Sequence, residues 1–139
     1  MPFTSESFQS IIVKPWGKEI ILTPADLERC GKILFVDAGK RLSLQYHETK
    51  EETLSLFSGN AEIIIEDYSG VLISKPMEIQ HGYTIRPGQK HRITAISDSV
   101  IFEISSPELG TTARLEDDYG RTDETEEDRQ EGDRGWNNG

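Results

Sequence analysis

Along the first 121 residues, apolar side chains alternate with polar ones over short stretches, and no stretch keeps a 3.6-residue apolar period through three turns. The pattern predicts an all-β chain. Expected strands run over Ile11–Lys14, Lys18–Leu22, Lys32–Asp37, Arg41–His47, Thr53–Phe57, Ala61–Asp67, Val71–Ser74, Met77–Gln80, Tyr83–Ile85, His91–Ala95 and Val100–Ser105. Several links between them, such as Ser58-Gly59-Asn60, Tyr68-Ser69-Gly70, Pro87-Gly88-Gln89 and Ser97-Asp98-Ser99, are rich in turn formers. One helical turn is expected, over Pro24–Arg29 with Thr23 as its cap. So many short strands in one domain imply a sandwich, jelly roll or closed barrel, which leave few bare sheet edges.

Charge divides the chain. Of its 25 acids and 15 bases, residues 116–139 hold ten acids and only three bases, a net of −7, which leaves −3 on the first 115 residues. From Thr122 onward Trp136 is the sole large apolar side chain, too little to offset the entropy of ordering the segment. Residues 1–121 are therefore expected to form the domain, and residues 122–139 a disordered acidic tail. A net charge of −10 argues against a nucleic-acid partner, since a phosphate backbone is bound by clustered Lys and Arg. No apolar run reaches the roughly 18 residues of a membrane span, and the start MPFTSESFQS lacks the apolar core of a secretory signal. Cys30 is the single cysteine, so no internal disulfide forms and the cytoplasm is the expected compartment.

The strand Arg41–His47 carries the most chemical information. Its alternation puts Arg41, Ser43, Gln45 and His47 on one face and Leu42, Leu44 and Tyr46 on the other. Taken alone, that polar face reads as solvated. Five residues beyond His47 stands Glu52, and His91 opens a later strand behind the turn Pro87-Gly88-Gln89-Lys90. Two imidazoles and a carboxylate suit a divalent transition metal, and Gln45 adds a neutral oxygen on the face of His47. The third histidine, His81, sits in a turn-like His81-Gly82 and is expected in solvent.

These residues resemble the cupin superfamily: Gly39, His47, Glu52 and Gly59 match its first motif, and Gly82, Gly88 and His91 its second. Within it, the chain looks most like the phosphomannose isomerase domain of type II mannose-6-phosphate isomerases. Four stretches carry that likeness: Lys14-Pro15-Trp16-Gly17, Gly39 through His47, Pro87 through Arg92, and Leu115 through Arg121. The pattern departs from that family where Thr49, Lys50, Thr53 and Leu54 replace its His, Arg, His and Trp, and where Pro87 falls one place late. The resemblance implies a cupin double-stranded β-helix, a jelly-roll barrel. It also allows a metal site of Gln45, His47, Glu52 and His91, with zinc as first choice.

The function so implied is a metal-dependent sugar-phosphate aldose–ketose isomerase. Its alternatives are a non-catalytic metal-binding cupin that takes up a sugar or small metabolite, or another metal-dependent cupin enzyme such as an oxygenase or lyase. Glu103 shares a strand face with Ser105, opposite Phe102 and Ile104, and is the candidate base. Lys32, which looks like a family lysine, is a candidate acid or phosphate ligand. Arg41 lies roughly 13 Å along the strand from Gln45, so with Arg121 it is a candidate anchor for a distant phosphate. The Leu42, Leu44 and Tyr46 face needs a cover, and the resemblance makes a second subunit, hence a homodimer, the expected one.

Overall fold

A computed structural model describes residues 3–130 of the chain. Eleven strands follow one another: β1 Ser10–Lys14, β2 Gly17–Ile21, β3 Cys30–Val36, β4 Leu44–His47, β5 Glu52–Ser58, β6 Ala61–Glu66, β7 Leu72–Pro76, β8 Gly82–Ile85, β9 His91–Ala95, β10 Ser99–Ser105 and β11 Thr112–Glu116. They form a six-stranded sheet in the order β1-β2-β3-β10-β5-β8 and a five-stranded sheet in the order β11-β4-β9-β6-β7. Every strand pairing within the two sheets is antiparallel. The expected all-β jelly roll is what the chain adopts. Among the described residues no helix is long and apolar enough to cross a membrane.

Between the sheets, the inward rows change character along their length. Leu34 and Val36 of β3, Leu54 and Leu56 of β5 and Ile101 of β10 join Trp16, Ala61, Ile63, Met77, Ile85, Ile93 and Ala95 in a buried apolar core. Further along the same inward rows come Lys32 on β3, Glu52 on β5 and Glu103 on β10, all buried. One end of the barrel is therefore hydrocarbon and the other is lined with charge. Gly17 brings β2 against β3: with φ at 149°, a Cβ there would lie 1.9 Å from the Phe35 carbonyl oxygen. Only glycine fits that approach.

The outward rows of the six-stranded sheet run against the usual rule. In β10 the inward residues are Ser99, Ile101, Glu103 and Ser105, while Phe102 is 38% exposed and Ile104 67%. Glu103 and Ser105 do share a face, and it is the inner one.

Several local expectations give way to what the backbone does. Residues 24–29 form turns rather than a helix, and the Thr23 hydroxyl accepts a hydrogen bond from the Gly31 N–H at 3.1 Å. Residues 77–80 make no strand, because Gln80 takes a left-handed φ of 64°, and only Ile79 bridges to Leu56. The strand expected from Arg41 becomes regular only at Leu44, since Arg41 makes a single bridge to Thr94. Strict alternation fails with it: Leu42 packs against the core, and Leu44 is buried within the chain. The apolar face that called for a second subunit is thus largely covered by the chain itself.

The folded part extends past Arg121. Thr112 and Glu124 exchange backbone hydrogen bonds at 2.9 and 3.0 Å, and the Arg114 guanidinium donates to the Thr122 carbonyl at 2.7 Å. Arg129, in a short 3-10 turn at Asp128–Gln130, donates to Glu124 and to the Gly110 carbonyl. Acid content alone hides this docking, because the cations that receive the acids lie partly outside the segment. Residues 131–139, including Trp136, lie outside the described residues.

Arg121 itself is locked into the start of this segment by Asp117, whose carboxylate accepts from its Nη2 at 2.9 Å and its backbone N–H at 2.7 Å. Burial would push the Asp117 carboxyl up, but the Arg121 charge and hydrogen bonds outweigh it and hold the group below its ordinary 3.8. A depressed carboxyl contributes stability that is present above 3.8 and lost as pH falls through the folded value. Asp117→Asn is therefore expected to be less stable than the native chain at pH 7, with the gap closing as pH falls from 5 towards 2. Urea unfolding at a series of pH values checks this; a gap that stays constant would contradict it.

Candidate metal centre

Three strands or strand ends deliver the candidate ligands. His47 ends β4, Glu52 starts β5 and His91 starts β9, so all three project from the charged end of the barrel. The turn before β9 is tied directly to β4, since the Gly88 N–H donates to the His47 carbonyl at 2.8 Å. Gly88 has φ of 84°, which explains a glycine in that turn. Gln45 faces His91 across the β4–β9 pairing.

The donor atoms of His47, Glu52 and His91 all lie within 4.8 Å of one another, and all three residues are buried. Glu52 Oε1 sits 3.4 Å from His47 Nε2 and 3.0 Å from His91 Nε2. His91 Nδ1 lies 3.0 Å from the Gln89 carbonyl, which can only accept, so that nitrogen carries a proton and Nε2 is the ring atom turned towards Glu52. Although near Glu52, this buried Nε2 has no hydrogen-bond partner. Two buried imidazoles and a carboxylate converging in this way make the donor set of a divalent transition metal. The residues fit such an ion. His47 Nδ1 lies 2.9 Å from the Thr112 hydroxyl, which fixes the ring and, with Nδ1 as the donor, leaves Nε2 for the ion.

Gln45 lines a cavity with Glu52 and His91, and its side-chain oxygen accepts from the Ser43 hydroxyl at 2.6 Å. His81 stays outside, 61% exposed at its side chain and 3.2 Å from Glu78.

Around the carboxylate runs a buried network of charge. Lys50 Nζ lies 3.1 Å from Glu52 Oε2, 3.2 Å from Glu103 Oε2 and 3.0 Å from Glu108 Oε1. Lys32 continues it to Glu108, Glu19 and Glu103, and Lys14 reaches Glu19 at 3.5 Å. Burial would raise the Glu52 carboxyl, but Lys50 and the two imidazoles outweigh it and hold Glu52 well below the usual range. Burial would likewise lower Lys50, and Glu103, Glu108 and Glu52 drive it well above its ordinary value. Burial dominates at Glu103, which is pushed up despite Lys50 and Lys32. Burial also lowers His47, so its imidazole is neutral and ready to coordinate.

The two arginines expected to anchor a phosphate are otherwise engaged. Arg41 turns to the surface, where Asp118 takes its Nε at 2.7 Å and Nη2 at 2.9 Å. Arg121 does line the cavity, but Asp117 holds its guanidinium. Lys32 and Glu103, by contrast, stand together in the cavity, as neighbours in the β3–β10 register. The sequence offered no sign of Lys50 as the centre of the network, since charge alternation cannot show which lysine meets three acids. Thr112 escaped notice because its strand, β11, leads into an acidic run.

The cavity shared by these groups measures about 70 Å³ and is lined by Gln45, His47, Lys32, Lys50, Glu103 and Arg121 among others. That holds a few water molecules, each of which takes about 30 Å³ in the liquid.

No protein-family model matches the chain, and no curated protein does. Solved structures match its fold. CapF, a capsular polysaccharide assembling protein from Staphylococcus aureus, superposes with a TM-score of 0.65 at 17% identity, over 82% of this chain and 33% of its own. An oxalate decarboxylase from Lactobacillus farciminis, solved with formate, gives 0.66 at 18% identity, over 83% of this chain and 37% of its own. Oxalate decarboxylase from Bacillus subtilis, a protein with Mn(II) centres, gives 0.63 at 13% identity, over 77% and 30%. The chain thus spans about a third of the length of these proteins. They are cupin-fold proteins, and the chain has the cupin fold. The likeness to mannose-6-phosphate isomerases rests on the four sequence stretches alone.

If the imidazoles and Glu52 take up an ion, Thr112→Val should weaken Zn²⁺ binding by about 10-fold, because it removes the group that orients His47. His91→Ala should abolish tight binding. Calorimetric titration of the metal-free protein checks both; native affinity in either variant would contradict the assignment.

Proposed function

We propose that the chain is a metal-dependent cupin enzyme that moves a proton on a small oxygen-rich substrate, and specifically an aldose–ketose isomerase of the mannose-6-phosphate isomerase type. One observation carries the reading: a buried carboxylate with a raised pKa, Glu103, lines one cavity with Glu52 and His91 and is joined to Glu52 through Lys50. The substrate class comes from the sequence resemblance.

A divalent ion, zinc as first choice, would be held by His47, Glu52 and His91 with Gln45 beside them, and would stabilise negative charge on substrate oxygens. Isomerisation needs a group that removes a proton from the carbon beside the carbonyl and returns it to the former carbonyl carbon, while a hydroxyl proton passes between the two oxygens. Glu103 suits both halves, as carboxylate in the first and as carboxylic acid in the second, because burial brings the two forms closer in energy. Lys50 and the Ser105 hydroxyl, 3.2 and 3.1 Å from its Oε2, hold it in place. Lys32, paired with Glu19, Glu103 and Glu108, holds these acids in place.

A second reading has its own support. The 70 Å³ cavity and the commitment of Arg41 to Asp118 and Arg121 to Asp117 favour a ligand smaller than a hexose phosphate. Under it the chain is a metal-binding cupin that holds a small metabolite, or a cupin lyase or oxygenase.

Incubation of the fully zinc-loaded protein with mannose 6-phosphate separates the two. The isomerase reading predicts fructose 6-phosphate, and a loss of at least about 100-fold in kcat for Glu103→Gln. Absence of turnover at full metal load rejects it in favour of the second.

A further inference from the structure

A second cavity lies beside the charged network, bounded by the link between β2 and β3, by residues 107–109 after β10 and by Arg129. It measures about 370 Å³, against about 70 Å³ for the cavity that holds His47 and Lys50. Small-molecule sites usually span about 300–1,000 Å³, so this one has the room that the first lacks. Phe8, Ile21, Pro24, Leu27, Pro107 and Leu109 give it an apolar wall. Phe8 and Leu109, 45 and 57% exposed, form its rim.

The charge on that wall runs against the rest of the molecule. The chain carries −10, yet the charged residues lining the cavity are Arg29, Lys32, Arg129 and a single acid, Glu108, a net of +2. Two of the three cations are engaged. Lys32 pairs with Glu19 and Glu108, and Arg129 with Glu108 and Glu124. Arg29 is exposed, and no acid among the described residues lies within ion-pair distance of it.

We propose that this cavity binds a small organic monoanion, with an alkyl or aromatic body seated between Phe8, Leu27 and Leu109 and a carboxylate on Arg29. The guanidinium fork matches a carboxylate, and one available cation matches one negative charge. Other ligand chemistries fit less well. A cation would face a net positive wall, and a sugar would leave its hydroxyls without partners against Ile21, Pro24 and Leu27. The site is separate from the candidate metal centre, since His47, Glu52 and His91 do not line it. The two cavities do meet at Lys32 and Glu108, which line both, so an occupant rests against the pair through which Glu108 holds Lys50. Binding here needs neither an ion nor turnover and can be measured on the metal-free chain.

Calorimetric titration of the full chain with octanoate tests it, with octylamine as the cation of the same length. One saturable octanoate site per chain is expected, and none for octylamine. Arg29→Gln should weaken octanoate binding by about 10-fold, the worth of a charge-assisted hydrogen bond. Leu27→Glu puts a carboxylate into the apolar wall and should abolish binding. Lys40→Gln removes an equal charge from an exposed position outside the cavity and should leave it unchanged. Thermal melts confirm that the variants fold, and Leu27→Ser replaces Leu27→Glu if that one does not. Absence of saturable binding up to about 10 mM, octylamine bound as tightly as octanoate, or binding that survives both Arg29→Gln and Leu27→Glu overturns the proposal. Binding that appears only in Trp136→Ala would mean that the end of the chain itself is the occupant, and overturns it too.

Discussion

The burial of the Glu52 carboxylate governs the charged end of this barrel. An ion of that size taken out of water is costly unless opposite charge and hydrogen-bonding groups meet it. Here Lys50 lies 3.1 Å from one oxygen and two imidazoles lie beside the other. Lys50 in turn needs Glu103 and Glu108, and Lys32 needs Glu19, so the requirement spreads through the interior until each charge has a partner. The consequence is a polar half-core whose members are fixed by one another. Such a network gains little net stability over hydrocarbon, but it holds its atoms in one arrangement, which suits a site more than a scaffold.

That arrangement inverts the six-stranded sheet. Where inward positions are given to Lys32, Glu52 and Glu103, the intervening residues Ile33, Phe102 and Ile104 are left outside. The interior chemistry and the exposed apolar face are two results of one alternation. Burying the outer face against another surface would return the hydrocarbon it exposes to a dry environment.

Much of this was legible in the chain. The period of two marked ten of the eleven strands, because half-buried antiparallel strands write their two faces into alternate residues. The spacing of His47, Glu52 and His91 marked the convergence, since each falls at a strand end on the same side of the barrel. Alternation could not say which face of β10 points inward, because Glu103 and Ser105 read equally well as solvated. Nor could it find β11, whose Thr112-Ala113-Arg114 precedes an acidic run, or the docking of Thr122 to Gln130, which depends on Arg114 outside that segment. Arg41 was drawn into the cavity by an alternation that the irregular backbone at Leu42 and Ser43 does not keep. The docking of residues 122–130 escaped because it rests on long-range ion pairs and hydrogen bonds, which no local pattern encodes.

Elemental analysis of the protein purified without added metal tests the central claim most directly. Convergence of two imidazoles, one of them with a buried nitrogen lacking a hydrogen-bond partner, and a carboxylate predicts close to one divalent transition-metal ion per chain, retained through dialysis. A chain that comes out empty, and stays empty after incubation with Zn²⁺ and removal of the excess, would contradict it.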